Sequence, residues 1–396
     1  MVPAVGPASL VPRSVTAKVL ARVWRGERLT IVDSPPGGGK TELVVTVVSH
    51  LATRASLNVL VATPTKAQAL SLTDRLSAQI PLGDIHTEIK GTDSPYVKRL
   101  GHSPAVTITT LAKCKFIDRT PFDVIVVDEA YQATHADVTA ASAGINQVLL
   151  VGDPGQIGPV VTMDTSIWAG QKDAPHLQAP TVAGRSAETA RFSIDRTWRL
   201  GPVSAKVVSP IYDFEFSSVG IPRSVVTKDG QSLPEVHSIA VPRASAVDDL
   251  RALTVVADRV AELTGSEISG PDGTRTTVDS DIAVVVARNS QVAILTGMLR
   301  QRGLEPTIGT ADRLQGGEWP LVVALDPMLG TQGESEHNVS LGRLCVMVSR
   351  HNTHLTWVHD DGWVESMAGK RSQDTVRGRK VRRMLTKSAI PESAAI

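Results

Sequence analysis

Ser34-Pro35-Pro36-Gly37-Gly38-Gly39-Lys40-Thr41 lies between two apolar runs, Leu29-Thr30-Ile31-Val32 before it and Leu43-Val44-Val45-Thr46-Val47-Val48 after it. The first run reads as a strand and the second as the body of a helix, so the glycines carry the chain from one into the other. A strand that ends in such a loop and opens a helix aims several backbone N–H groups at one point, where the helix dipole adds positive potential. Anions belong there. Consecutive glycines let the backbone wrap a triphosphate in conformations that other residues resist. Lys40 can neutralise the β- and γ-phosphate oxygens, and the Thr41 hydroxyl can bind Mg²⁺. The pattern G-x-x-x-x-G-K-[ST] is met at Gly39, Lys40 and Thr41, with Ser34 where its first glycine usually stands. The competing reading, a plain Gly/Pro turn, is disfavoured by the strand-then-helix context.

Working outward, Val15 to Trp24 is expected to be a helix. Leu57 to Ala62 is an apolar run of strand length that ends in Thr63-Pro64-Thr65-Lys66, where Pro64 breaks the strand and a helix follows through Leu70, Leu72 and Leu76. Ala105 to Thr110, Phe122 to Val127 and Gln147 to Val151 are further strands. The last two lead into Asp128-Glu129-Ala130-Tyr131-Gln132 and Gly152-Asp153-Pro154-Gly155-Gln156. Strands that are apolar throughout, separated by helical or polar stretches, indicate a parallel sheet covered on both faces, and such sheets bind ligands at their carboxyl ends. Every polar cluster named so far falls there.

The pattern then repeats. Ser245 with Asp248 looks like a capping box for a helix carrying Leu250, Leu253, Val256, Val260 and Leu263. Ile282 to Val286, Leu321 to Leu325 and Leu355 to Val358 read as strands, with a helix near Val292 to Arg302. The expected architecture is α/β, with mainly parallel sheets in two domains. Residues 1–28 form a lead-in and helix, 29–180 a first domain with a small insertion at about 67–104, 191–365 a second domain, and 366–396 a basic C-terminal tail. Periodicity fades between about Thr165 and Arg191, which marks the boundary. Within the tail, Lys370 to Lys387 carries eight Lys/Arg and the one acid Asp374; a solvated helix or a nucleic-acid contact both fit.

Composition bounds the partners and the compartment. A 396-residue chain is long enough for two cores, and its net charge of +1 supplies no global attraction for nucleic acid, so such a partner must be held by a local groove. The 2 cysteines, Cys114 and Cys345, are too far apart in sequence to suggest a metal knuckle and read as buried thiols in a reducing compartment. No apolar run reaches membrane-spanning length, and the expected location is cytoplasmic.

Asp128 and Glu129 supply what a phosphate loop lacks. The first can hold Mg²⁺, and the second can orient and deprotonate the attacking water. Gln156 is placed to sense the γ-phosphate. Because the transition state spreads negative charge, further cations are expected, and the second half offers Arg199, Arg288 and Arg350. His351 and His354 are spaced for one helix face and read as structural.

The order of these motifs resembles the superfamily 1 helicases from about Ser34 to Trp357. SPPGGGKT is similar to the family's G-P-P-G-T-G-K-T. ATPTKAQA and VTITTLAK resemble the segments that contact nucleic acid, and DEAYQ and VGDPGQIGPV resemble D-E-A-x-Q and G-D-P-x-Q-L-P-P-V. RTWRLGP, ARNSQ, GTADRLQGGE and VMVSRHNTHL resemble the motifs of the second domain. The resemblance implies two RecA-like domains with ATP in the cleft between them. It makes Lys40 the phosphate ligand, Thr41 and Asp128 the Mg²⁺ ligands, Glu129 the base, Gln156 the γ-phosphate sensor, and Arg199 and Arg350 arginine fingers. Trp198 would stack on adenine and Glu318 lie near the ribose. Thr63, Pro64, Thr65, Thr109, Thr110, Thr310 and Arg313 would contact the nucleic-acid backbone. DEAYQ points to the 5′-to-3′ branch, acting on single-stranded nucleic acid, DNA in preference to RNA. The alternative is an ATPase that serves as a non-unwinding binding or remodelling switch. No Gln precedes Gln68 to read adenine, so the choice of ATP over other nucleotides is left open.

Overall fold

The structure is a computed structural model that describes residues 11, 13–81, 84–89, 105–119, 121–331, 333, 335–360, 362–368 and 372–387. The chain divides into two compact units, Met1–Pro154 with Gly158–Ile194, and Gly155–Ile157 with Asp195–Ile396. The change of unit between Ile194 and Asp195 follows directly after the stretch where composition placed the boundary.

Among the described residues the first unit is built on seven strands: β1 Leu29–Asp33, β2 Val59–Thr63, β3 Ile85–Glu88, β4 Val106–Thr110, β5 Val124–Val127, β6 Gln147–Gly152 and β7 Ala190–Ser193. Their order is β3-β4-β2-β5-β6-β1-β7, and every pairing is parallel. The register sets Asp33 beside Gly152 and Ser193, and Thr63 beside Thr110, so the residues after the apolar runs share one edge. Helices cover both faces, which is why these strands are apolar at successive positions rather than alternately. The helix Lys40–Arg54 buries Leu43, Val44, Val47, Val48 and Leu51 against the sheet, and each such side chain contributes ~1.5–3 kcal/mol. Part of the expected insertion, from residue 90 to 104, lies outside the described residues. The part before it forms the helix Lys66–Ser77 and edge strand β3 of the same sheet.

The second unit has a five-stranded parallel sheet in the order Val236–Ala240, His351–His359, Trp319–Leu325, Ile282–Val286, Thr307–Thr310. An antiparallel sheet of Ser232–Leu233, Ser224–Val226, Glu267–Gly270 and Gly273–Thr276 accompanies it. The α/β class and two parallel sheets agree with the expectation of two RecA-like domains.

Three local readings are corrected. The helix expected from Ser245 starts at Leu250, because Asp249, not Ser245, caps it by accepting from the Arg251 N–H. His351 and His354 lie on the strand His351–His359, where the pull of a central sheet position overrides the helix-like spacing. The basic C-terminal stretch, read as a solvated helix or tail, is not solvated throughout over Gln373–Lys387. It forms a helix with Val381, Arg382 and Leu385 buried, Arg382 pairing with Asp326 at 3.0 Å.

Candidate functional site

At the carboxyl edge of the first sheet, the Ser34 N–H donates to the Gly152 carbonyl at 2.9 Å, and its hydroxyl turns back to the Pro35 carbonyl at 2.9 Å. Serine therefore fits where the motif has glycine, its side chain folded into its own loop. Gly37 and Gly39 do need their freedom, with φ +67° and +85°. A Cβ at Gly39 would meet nothing within 4 Å, so backbone conformation rather than space selects glycine there. Gly39 caps the helix Lys40–Arg54, which directs its first N–H groups at the loop.

Lys40 Nζ lies 3.4 Å from Glu129 Oε1, with side chains 11% and 19% exposed. Asp128, buried after β5, accepts from the Glu129 N–H at 2.9 Å. Burial first, and the neighbouring Glu129 charge second, raise the Asp128 pKa above the usual carboxylate range. Glu129 has a left-handed backbone, φ +53°, which costs a non-glycine residue ~1–2 kcal/mol. Strain of this kind, at a charged residue facing the loop lysine, is typical of functional sites. Beneath the loop, Tyr131 Oη donates to Asp33 Oδ1 at 2.7 Å and accepts from Arg191 Nη2 at 2.8 Å, and Arg191 Nε lies 3.0 Å from Asp33 Oδ2. Sequence reasoning missed this set, because Asp33 sits one residue outside the motif and Arg191 far from it.

Of the threonines expected to meet nucleic acid, Thr63, Thr65, Thr109 and Thr110 lie at the same edge. Thr63 Oγ1 donates to the Thr65 carbonyl, Thr65 Oγ1 accepts from the Gln68 N–H as a helix cap, and Thr109 Oγ1 donates to the Glu88 carbonyl. Thr110 and Pro64 are half-buried beside them. The first two hydroxyls thus stabilise the turn after β2, a structural use that their position after a strand also explains.

In the second unit, Arg199 Nε donates to Glu318 Oε2 at 2.6 Å and Nη1 to the Ser349 carbonyl at 3.3 Å, while Asn352 Nδ2 donates to Glu318 Oε1 at 3.1 Å. Burial would raise the Glu318 pKa, but Arg199 and the Asn352 hydrogen bond outweigh it and hold the carboxyl low. Arg350 is only 1% exposed, donating to the Gly317 carbonyl and Ser349 Oγ. Trp198 is 53% exposed. Arg223, which no motif singled out, donates to the carbonyls of Trp198, Arg199 and Asn352 and so fixes the turn that presents them. Gln156 belongs to this unit, its Oε1 accepting from Gln315 Nε2 at 3.3 Å. Arg288 reaches Asn338 Oδ1 at 3.2 Å, apart from this cluster. Thr310 ends its strand, and Arg313 is exposed beside a 410 Å³ hollow that Arg300 and Ile308 also line.

Among the described residues no three His, Cys, Asp or Glu side chains converge as a metal cluster. Asp128 with Thr41 suits instead a cation that takes its remaining ligands from phosphate and water, as Mg²⁺ does. A buried carboxylate beside a second one, its charged form disfavoured by both, is a fitting donor for such an ion.

Residues 16–179 match the model of the AAA domain family. The matched residues span most of the first unit, which is thus similar to AAA domains. The chain is 23% identical over 265 residues to the DNA polymerase alpha-associated DNA helicase A of Schizosaccharomyces pombe, a match spanning 62% of this chain and 38% of that protein. The crystal structure of the Arterivirus nonstructural protein 10 helicase superposes with a TM-score of 0.50 at 19% identity, covering 87% of this chain and 62% of that one. This chain spans less than two thirds of either protein's length. The likeness to the Arterivirus helicase is one of fold, two parallel sheets flanked by helices.

Proposed function

We propose that the chain is a nucleic-acid-dependent ATP hydrolase that moves on single-stranded nucleic acid, DNA in preference to RNA, in the 5′-to-3′ sense. The observation that carries this reading is the pairing of Lys40 with a strained Glu129 at the mouth of the glycine loop. The loop N–H groups and Lys40 would hold the triphosphate, and the Glu129 carboxylate would take a proton from water attacking the γ-phosphorus as the bond to the bridging oxygen breaks and ADP departs. A Mg²⁺ ion held by Thr41 and Asp128 would neutralise phosphate charge. Arg199 and Arg350 are proposed to stabilise the transferred phosphoryl group and Gln156 to sense it, with Trp198 stacking on the base and Glu318 near the ribose. Thr63, Pro64, Thr65, Thr109, Thr110, Thr310 and Arg313 are proposed to follow the strand through its backbone, which reads no sequence. The name of the yeast relative supports DNA as the partner.

A second reading, an ATP-gated binding switch that does not unwind, is favoured by the threonine hydroxyls that are spent inside the unit. ATP turnover with and without single-stranded DNA or RNA, followed by strand displacement on duplexes with 5′ or 3′ tails, separates the two. Turnover stimulated by DNA with displacement from a 5′ tail is expected. Stimulation without displacement leaves the switch, and turnover indifferent to both nucleic acids removes both readings.

A further inference from the structure

Tyr131 sits at the centre of the 3₁₀ turn Ala130–Gln132, which starts directly after Glu129; the Gln132 N–H closes it on the Glu129 carbonyl at 2.9 Å. Its ring lies on Gly152, where an added Cβ would come within 2.9 Å of Tyr131 Cδ2 and 3.1 Å of the Ala130 nitrogen. The glycine is therefore required by the ring and by the turn. The Tyr131 hydroxyl is held from two sides, by Asp33 at 2.7 Å and by Arg191 at 2.8 Å, and these two pair with each other. Asp33 is the residue that directly precedes the phosphate loop, and its side chain is 8% exposed. Burial, and next the Asp33 charge, raise the Tyr131 pKa, so the phenol keeps its proton as a donor. The turn that sets the Glu129 backbone is thus tied to the strand that carries the loop.

From this arrangement we infer that Tyr131 is a positioning residue for hydrolysis: clamped by Asp33 and Arg191, it fixes the turn that directs the Glu129 carboxylate toward Lys40 and the attacking water. The inference rests on the reading of this unit as an ATP hydrolase. Phenylalanine at 131 keeps the ring on Gly152 and removes only the hydroxyl.

The test uses the full chain, comparing wild type with Tyr131→Phe, Asp33→Asn and the double variant. It measures kcat and KM for ATP with saturating single-stranded DNA, the Kd of a non-hydrolysable ATP analogue, and the thermal midpoint. Misplacing a reacting group lowers the rate steeply. We expect Tyr131→Phe to lower kcat by about tenfold, with KM and analogue affinity within about twofold of wild type, which locates the loss in the transition state. Asp33→Asn is expected to lower kcat similarly, and the double variant to fall little further, since the residues act through one clamp. Wild-type kcat in a folded Tyr131→Phe protein overturns the inference, as do fully additive losses. Should Tyr131→Phe fail to fold, Asp33→Asn alone decides by the same split of kcat from KM. A wild-type chain without ATP turnover removes the underlying reading and the inference with it; normal turnover insensitive to Tyr131→Phe removes the inference alone.

Discussion

Asp128 and Asp326 are both buried carboxylates that directly follow a central apolar strand of a parallel sheet, one in each unit. Asp326 is closed off. Arg382 Nε lies 3.1 and 3.0 Å from its two oxygens, and the Met328 N–H donates to it at 2.9 Å. Asp128 instead lies beside a second carboxylate, and burial and that neighbour disfavour its charged form by more than Lys40, which pairs with Glu129, favours it. A cation from the chain itself makes the first position structural. The second keeps an arrangement suited to a cation from outside. What separates a site from a scaffold at the same place in a sheet is where the counter-charge comes from.

The largest effect should come from the open side of this comparison. Glu129→Gln keeps shape and removes the basic oxygen, and kcat should fall by about 10²–10⁴-fold with nucleotide affinity retained; turnover near wild type would remove the assignment of Glu129 as base. On the closed side, Asp326→Ala strands a fully buried guanidinium, and unfolding in denaturant should show a loss of ~3–5 kcal/mol. Because no reacting group is touched, kcat of the folded fraction should hold, and a selective loss of kcat would show that Asp326 serves the reaction as well as the fold.

A smaller effect comes from His351 and His354. Burial first lowers both to about 3, His351 beside Ser204 Oγ at 2.6 Å and His354 beside Thr356 and Arg259. The unfolded chain takes up protons near pH 6.5 that the folded chain refuses. Stability should therefore fall as pH drops from about 6.5 toward 3, at up to ~1.4 kcal/mol per pH unit for each histidine. Denaturant midpoints at pH 7 and 5, with His354→Asn as control, read this directly; equal pH slopes in the two proteins would show that His354 contributes nothing.

Much of the first unit was legible because its information is local. The strand before Ser34, the glycines and the helix after Lys40 are consecutive in the chain, and the apolar runs at 59–63, 106–110 and 147–152 announce buried parallel strands by themselves. The Asp33–Tyr131–Arg191 clamp was not legible, since its members are separated by 98 and 60 residues and each looks ordinary alone. The same holds for Arg382. Eight cations in eighteen residues suggest a solvated face, and only the sheet of the second unit reveals the aspartate that draws one of them inside. Histidines three apart suggested a helix face, but Leu355 to Val358 already read as strand, and the strand extends backward through both. Periodicity fails where a segment is buried on every side.

The pairing of β7 with β1 also gives the molecule an order in time. A ribosome working from the N-terminus releases the phosphate loop, then Asp128, Glu129 and Tyr131, and only some sixty residues later Arg191. Until that arginine emerges, the nascent chain holds a glycine loop whose supporting clamp is incomplete. The last strand of this unit to be made is therefore also the one that completes the clamp on the turn after Glu129.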